Sequence, residues 1–294
     1  MFRYLRLKKH PNKVEPSPGS LTAQWLSEDA SVPATLKQLN ELPEGAKKRI
    51  YRALIPPNLL TKFNIDPISW KGRSDYQLTL KAEPLTGEVN ISIGKISDSP
   101  EEFFCLQLLD NAINGIDLNF LLISDPWSPR FDTDCLADGS PTLFGKARRN
   151  LVAEKKAKQA GLGPGQVRKG LAFSSTVLKQ VEAFLATCGH SAYFLEPITY
   201  AAAWVFERRG FAYVRGHKLM DDIHKEFQPG GQLNQALDGS TPFRQPDQWS
   251  TVRGRAWAIH DGLLDAIDAE WDKLRMIKQV GRHAGVETFP DATY

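Results

Sequence analysis

The densest chemistry in this 294-residue chain lies in the stretch GLGPGQVRKGLA, residues 161 to 172, just ahead of a segment with helical periodicity. A glycine-rich loop that opens a helix presents free backbone N–H groups at the helix N-terminus. Those donors, with the helix dipole, suit a phosphate or pyrophosphate. Arg168 and Lys169 stand at that mouth. Lys146, Arg148, Arg149, Lys155, Lys156 and Lys158 precede it, opposed by a single acid, Glu154. A phosphate-bearing ligand fits this charge; a connector loop after a solvated basic helix face fits it too. Two familiar phosphate loops do not fit. The Walker pattern needs Gly-Lys-Ser/Thr, and Gly170 is followed by Leu171; the dinucleotide pattern needs a third glycine where Gln166 stands.

Other reactive side chains are sparser. Asp125, Asp132 and Asp134 follow an expected strand, either as turn formers or as an amine pocket or base acting through water. Glu196, at the end of a short expected strand before Pro197, is a further carboxylate candidate for a base. Ser174 and Ser175 read as first-turn helix residues, with no His/Asp partner arranged around them. The six histidines form no His-Glu-x-x-His and no Cys/His pairing at metal spacing, so no metal is expected.

The elements that must position these residues are legible from periodicity. TLKQLNELPEGAKKRIYRALIPPNLLTKF gives two helical segments broken near Pro43, with Pro56-Pro57 ending the regular turn. Four alternating stretches follow, at 76–83, 88–96, 103–109 and 116–124. Leu85-Thr86-Gly87 and Asn114-Gly115 read as the turns of an antiparallel meander. After a polar stretch comes a basic helix ahead of the glycine loop. Phe173, Val177, Val181, Phe184 and Cys188 then recur at helical spacing, with Gly189 as a left-handed cap. SAYFLE is a strand, Thr199 caps a helix ending at Gly210, and FAYVR is another strand. Further on, Leu263, Leu264, Ile267, Trp271 and Leu274 predict an amphipathic helix packed on the core.

The loop, helix, strand, helix, strand unit resembles the GNAT superfamily of acyl-CoA-dependent N-acyltransferases. That family's Gln/Arg-x-x-Gly-x-Gly/Ala signature falls on Val167 to Ala172, where Gly170 and Ala172 match and Val167 does not, although Gln166 and Arg168 flank it. Its later Asn-x-x-Ala-x-x-Leu/Phe-Tyr-x-x-x-Gly-Phe pattern falls on Thr199 to Phe211. There Ala202, Gly210 and Phe211 match, Thr199 replaces the asparagine, and Phe206 stands where the tyrosine that protonates the leaving thiolate usually does. The resemblance runs from about 161 to 215. It implies an α/β fold, a mixed and largely antiparallel sheet flanked by helices. It also implies acetyl-CoA or another acyl-CoA as co-substrate, held by Gly165, Gln166, Val167, Arg168, Lys169, Gly170, Leu171, Ala172, Thr199 and Phe206. The acceptor would be a small-molecule or protein amine. A member that binds CoA, another ligand or a protein partner without catalysis is the alternative.

Composition sets the frame. Hydrophobic residues make up 41% and the net charge is +3, ordinary for a globular chain and too weakly basic to argue for nucleic acid. No apolar run is long enough to span a membrane, and three widely spaced cysteines suit reduced thiols in a cytoplasmic protein. The expected organisation is an extended arm over 1–32, a GNAT-like core over 33–216 and a C-terminal helical extension over 217–294.

Overall fold

The computed structural model describes residues 32–72, 75–96, 101–145 and 148–294; nearly all of the expected arm lies outside them, as does Lys146. α1 (Leu36–Asn40) opens with a capping box between Thr35 and Gln38. Its first turn also donates to the Asp110 carboxylate, from Leu36 at 2.8 Å and Lys37 at 2.9 Å, which satisfies N–H groups a helix start leaves unpaired. α2 (Glu44–Tyr51) follows Pro43, and α3 (Pro57–Lys62) begins on Pro57, where a missing N–H costs nothing. Tyr51 donates to Asn40 at 2.5 Å, and Asn40 donates to the carbonyls of Thr86 and Glu88. This buried relay fastens the helices to the turn between the first two strands.

Those strands are β1 (Tyr76–Lys81) and β2 (Glu88–Lys95), followed by β3 (Glu102–Asp110) and β4 (Ile116–Ile123), all paired antiparallel in succession. Val89, Ile91 and Ile93 are fully buried, as their alternation requires; each aliphatic side chain withdrawn from water contributes about 1.5–3 kcal/mol. Leu85 and Asn114 take left-handed backbone in the two turns. α4 (Leu151–Gln159) is the basic helix, and α5 (Ser174–Thr187) buries Val177, Val181 and Phe184 and ends at left-handed Gly189. β5 (Ala192–Leu195), α6 (Tyr200–Arg208) and β6 (Ala212–Arg215) complete the expected unit. α7 (His217–Glu226), α8 (Gln232–Gln235) and α9 (Val252–His260) lead to β7 (Arg275–Gln279).

The seven strands make one sheet in the order β1-β2-β3-β4-β5-β7-β6, antiparallel except for the β4–β5 pair. The fold is therefore mixed α/β, with a mostly antiparallel open sheet flanked by helices. Two expectations need correction. The segment after 216 is more than a helical extension, because β7 inserts between β5 and β6, so the sheet does not end at 216. The single amphipathic helix over 263–274 is absent too. Gly262 and Asp268 are left-handed and bound a 3-10 turn, Leu263–Ile267, and Lys273 is left-handed just before β7. Those conformations end a helix. Leu263, Leu264 and Leu274 still reach the core, the first two from the 3-10 turn and the third from the residue just before β7.

Among the described strands, β6 pairs with β7 alone. A fragment spanning 32–216 is accordingly expected to lack a cooperative thermal transition, followed by circular dichroism. A sharp transition in that fragment would contradict the single interleaved sheet.

Candidate functional site

The residues expected to do chemistry separate into three places. The first is a neck at the end of β4. Ser124 and Gly170 form an isolated antiparallel bridge, and Asp125 donates its N–H to Lys169 O at 2.7 Å. Residues 125–169 thus leave the sheet and return to the same point. On the return, Gly165 has φ +76, and a Cβ there would strike the Phe144 ring. Gln166 folds back, its side chain accepting from Gly163 at 2.7 Å, and Val167 O accepts from Phe131. Arg168 is committed elsewhere: Nε and Nη2 donate to the two oxygens of Glu101 at 2.9 and 2.8 Å, and Nη1 donates to Ser128 O. Hydrogen bonds from Arg168 outweigh burial and hold the Glu101 carboxyl below the usual range.

Lys169 to Ala172 are what arrive at the mouth of α5. Lys169 is exposed, and no described carboxylate pairs with it. Gly170 lies against Ile123 O, Leu171 packs on the core, and Ala172 is left-handed, with φ +59. The N-cap of α5 is Phe173, which offers no side-chain acceptor, and no acid sits in the first turn. The N-terminus of this 14-residue helix therefore keeps its donors and its positive dipole end uncompensated by side chains.

The second place is the junction of β4 and β5. These parallel strands pair only through Ile116 with Tyr193 and Asp117 with Phe194. From Leu118 to Ile123, β4 is paired to β3 on one side and to no described strand on the other. Arg275 of β7 lies where they part. It donates to both oxygens of Asp117, at 2.8 and 3.1 Å, and to Glu196 at 3.2 Å, with its guanidinium 5.0 Å from the Phe194 ring centre. Glu196 is thus at the open end of the strands with one oxygen on Arg275 and its side chain 59% exposed. Thr199 caps α6 by accepting from Ala202 at 3.0 Å. Phe206 is half-buried, with its ring edge-on to Phe211 at 5.1 Å. Asp117 and Arg275 were not legible as partners, since 158 positions separate them and neither stands in a motif.

The third place gathers the remaining candidates into structural roles. Arg130 pairs with Asp132 and Asp134, and Asp125 accepts from Trp127 N–H in a turn. Of the basic run, Arg149 is half-buried and pairs with Glu154 and Asp261, at 2.5 and 2.6 Å, whereas Arg148, Lys155 and Lys156 face solvent. Burial would raise the Glu154 carboxyl, but hydrogen bonds with His260 and Arg149 outweigh it and lower its pKa. Among the described residues, Asp132, Asp134 and Cys135 are the one group close enough together to hold a metal ion, and Arg130 already occupies both carboxylates. No described helix is long and apolar enough to cross a membrane. Set against known protein families, curated proteins and solved structures, the chain matches none of them.

The Arg168–Glu101 pair fixes the neck to the sheet. A carboxylate whose pKa is depressed in the folded state stabilises fully above its unfolded value, here 4.5, and loses that contribution as pH falls through the folded value. Glu101→Gln is expected to lower the melting temperature at about pH 7, and the gap to the native protein is expected to close by about pH 3. A pH-independent gap in melting scans would assign the loss to something other than this charge.

Proposed function

We propose that this protein is a divergent GNAT-like acyl-CoA-dependent N-acyltransferase acting on an amine. The observation that carries the reading is the parting of β4 and β5. Two parallel strands that separate after two residue pairs leave a hydrogen-bonding edge of β4 without a partner among the described strands, and the chain returns to the end of that edge directly into the uncapped start of α5. An extended amide-bearing arm suits the edge, and a pyrophosphate suits the helix start. The strand order and the glycine loop agree with the resemblance in the sequence.

Of the residues the signature assigns to acyl-CoA, Lys169 gives its N–H to Ser128 Oγ at 3.2 Å and offers the ligand its free ammonium, while Gly170, Leu171 and Ala172 bring the backbone to the mouth of α5. Arg168 shapes the loop through Glu101 and contributes no free charge. The co-substrate supplies the thioester. Glu196 or a water takes the proton of the amine, a C–N bond forms as the C–S bond breaks, and the departing thiolate takes its proton from solvent, because Phe206 has none to give.

A second reading, a CoA-binding protein without catalysis, is favoured by one observation: Phe206 packs on Phe211 in the acid's place. Calorimetry with CoA and dephospho-CoA tests the shared premise. CoA is expected to bind, and Lys169→Glu to weaken it about tenfold or more through reversed charge next to phosphate. Absence of binding by either compound at about 1 mM would overturn both readings. Phe206→Tyr separates them. The ring is half-buried, so the added hydroxyl should leave the melting temperature nearly unchanged. In a working transferase it should raise acetyl-CoA turnover on an amine panel; well-placed acid catalysis is typically worth ~10²–10⁴-fold. No turnover in either variant, with CoA bound, selects the binding protein.

A further inference from the structure

A cavity of about 430 Å³ opens over the strand ends on the far side of the neck, formed by the start of β1, the end of β2, the start of β3 and the loop after β4. Its volume falls in the range of roughly 300–1,000 Å³ typical of small-molecule clefts. One wall is aromatic. Phe103 meets Tyr76 edge-on at 5.2 Å, and Trp127 is stacked on Phe63 at 5.1 Å with its indole 58% exposed. A second wall is the ion pair of Arg168 with Glu101, in which each charge is already answered.

The remaining two charges are not answered by any described residue. Asp75 and Lys95 both line the cavity. Tyr76 is directly opposite Lys95 in the β1–β2 register, and Ile96 N–H donates to Asp75 O at 2.5 Å, so the two side chains spring from neighbouring backbone. Despite that closeness they do not pair with each other, and no described residue supplies either with an ion pair or a side-chain hydrogen bond. Opposite charges that line one cavity without pairing, beside an aromatic surface, are complementary to a molecule that carries both charges and an apolar group.

We infer that this cavity binds a free amino acid with an aromatic or large aliphatic side chain. Asp75 accepts from the α-ammonium, Lys95 donates to the α-carboxylate, and the side chain lies against Tyr76, Phe103 and the exposed edge of Trp127. This site is separate from the β4–β5 opening and does not depend on the acyltransferase reading.

The test is titration of the full chain with L-phenylalanine, L-tryptophan and L-leucine by calorimetry, with the indole N–H resonance of Trp127, assigned through Trp127→Phe, as the local reporter. At least one amino acid is expected to bind and to shift that resonance. N-acetyl-L-phenylalanine and L-phenylalaninamide, each lacking one charge, are expected to bind at least about tenfold more weakly than L-phenylalanine. Asp75→Asn and Lys95→Met are each expected to weaken binding about 10- to 100-fold. Both positions are exposed, so the melting temperature should stay unchanged, which separates lost binding from lost folding. No binding of any of the three at about 10 mM, equal binding of the blocked analogues, or unaltered affinity in both variants would overturn the assignment.

Discussion

The guanidinium of Arg275 holds the centre of this molecule together at the point where it opens. β4 and β5 run parallel and share two residue pairs before they separate, and Arg275, arriving on β7, bonds Asp117 on one strand and Glu196 at the end of the other. A planar fork with five donors suits this position, because it spans two carboxylates while its flat face lies near the Phe194 ring. Lysine has no such fork. The opening is thus held at its closed end by a directional contact, and no described strand pairs with the edge beyond it.

The same logic explains why the chain after β6 cannot be set aside as an appendage. β7 separates β5 from β6 and carries the fork. The rest of that segment builds a second, smaller apolar cluster with residues 125–169, the insertion between β4 and α5, in which Ala157 and Leu162 meet Phe243 and Trp257. Trp257 donates to Leu162 O at 2.8 Å, and Arg149 ties Glu154 of α4 to Asp261 beyond α9. Removing one member of such a buried set leaves an uncompensated charge, which is typically far costlier than losing a surface pair. The insertion and the C-terminal half therefore stabilise each other, and together they hold the return path of the chain to the mouth of α5.

Charge in this protein is consumed by structure more than its sequence suggests. Arg168 serves Glu101, Arg149 serves Glu154 and Asp261, and Arg130 serves three carboxylates. Among the described residues, the charges left uncommitted at the two sites are Lys169 at the helix start, and Asp75 with Lys95 over the strand ends. A ligand meets these residual groups, since a side chain already satisfied by a neighbour gives up one good interaction to make another.

Local chemistry was enough to write most of the element list. Alternation placed Val89, Ile91 and Ile93 inside, Thr199 announced its helix, and left-handed Gly189 and Gly210 ended theirs. Each of those signals acts within a few residues and needs no distant partner. The glycine loop ahead of α5 was likewise visible, because backbone freedom and basic charge are written in residue type. The sequence alone did not assign Arg168 to Glu101, Arg275 to Asp117, or Asp75 and Lys95 to one cavity wall. Nor did it place β7 inside the sheet or break the stripe from Leu263 to Leu274 into a turn and a strand. Those facts depend on which segments meet after the chain has folded back on itself. A charge carries no label for its partner, and an apolar stripe is satisfied by any backbone path that buries it, so only the tertiary structure decided between them.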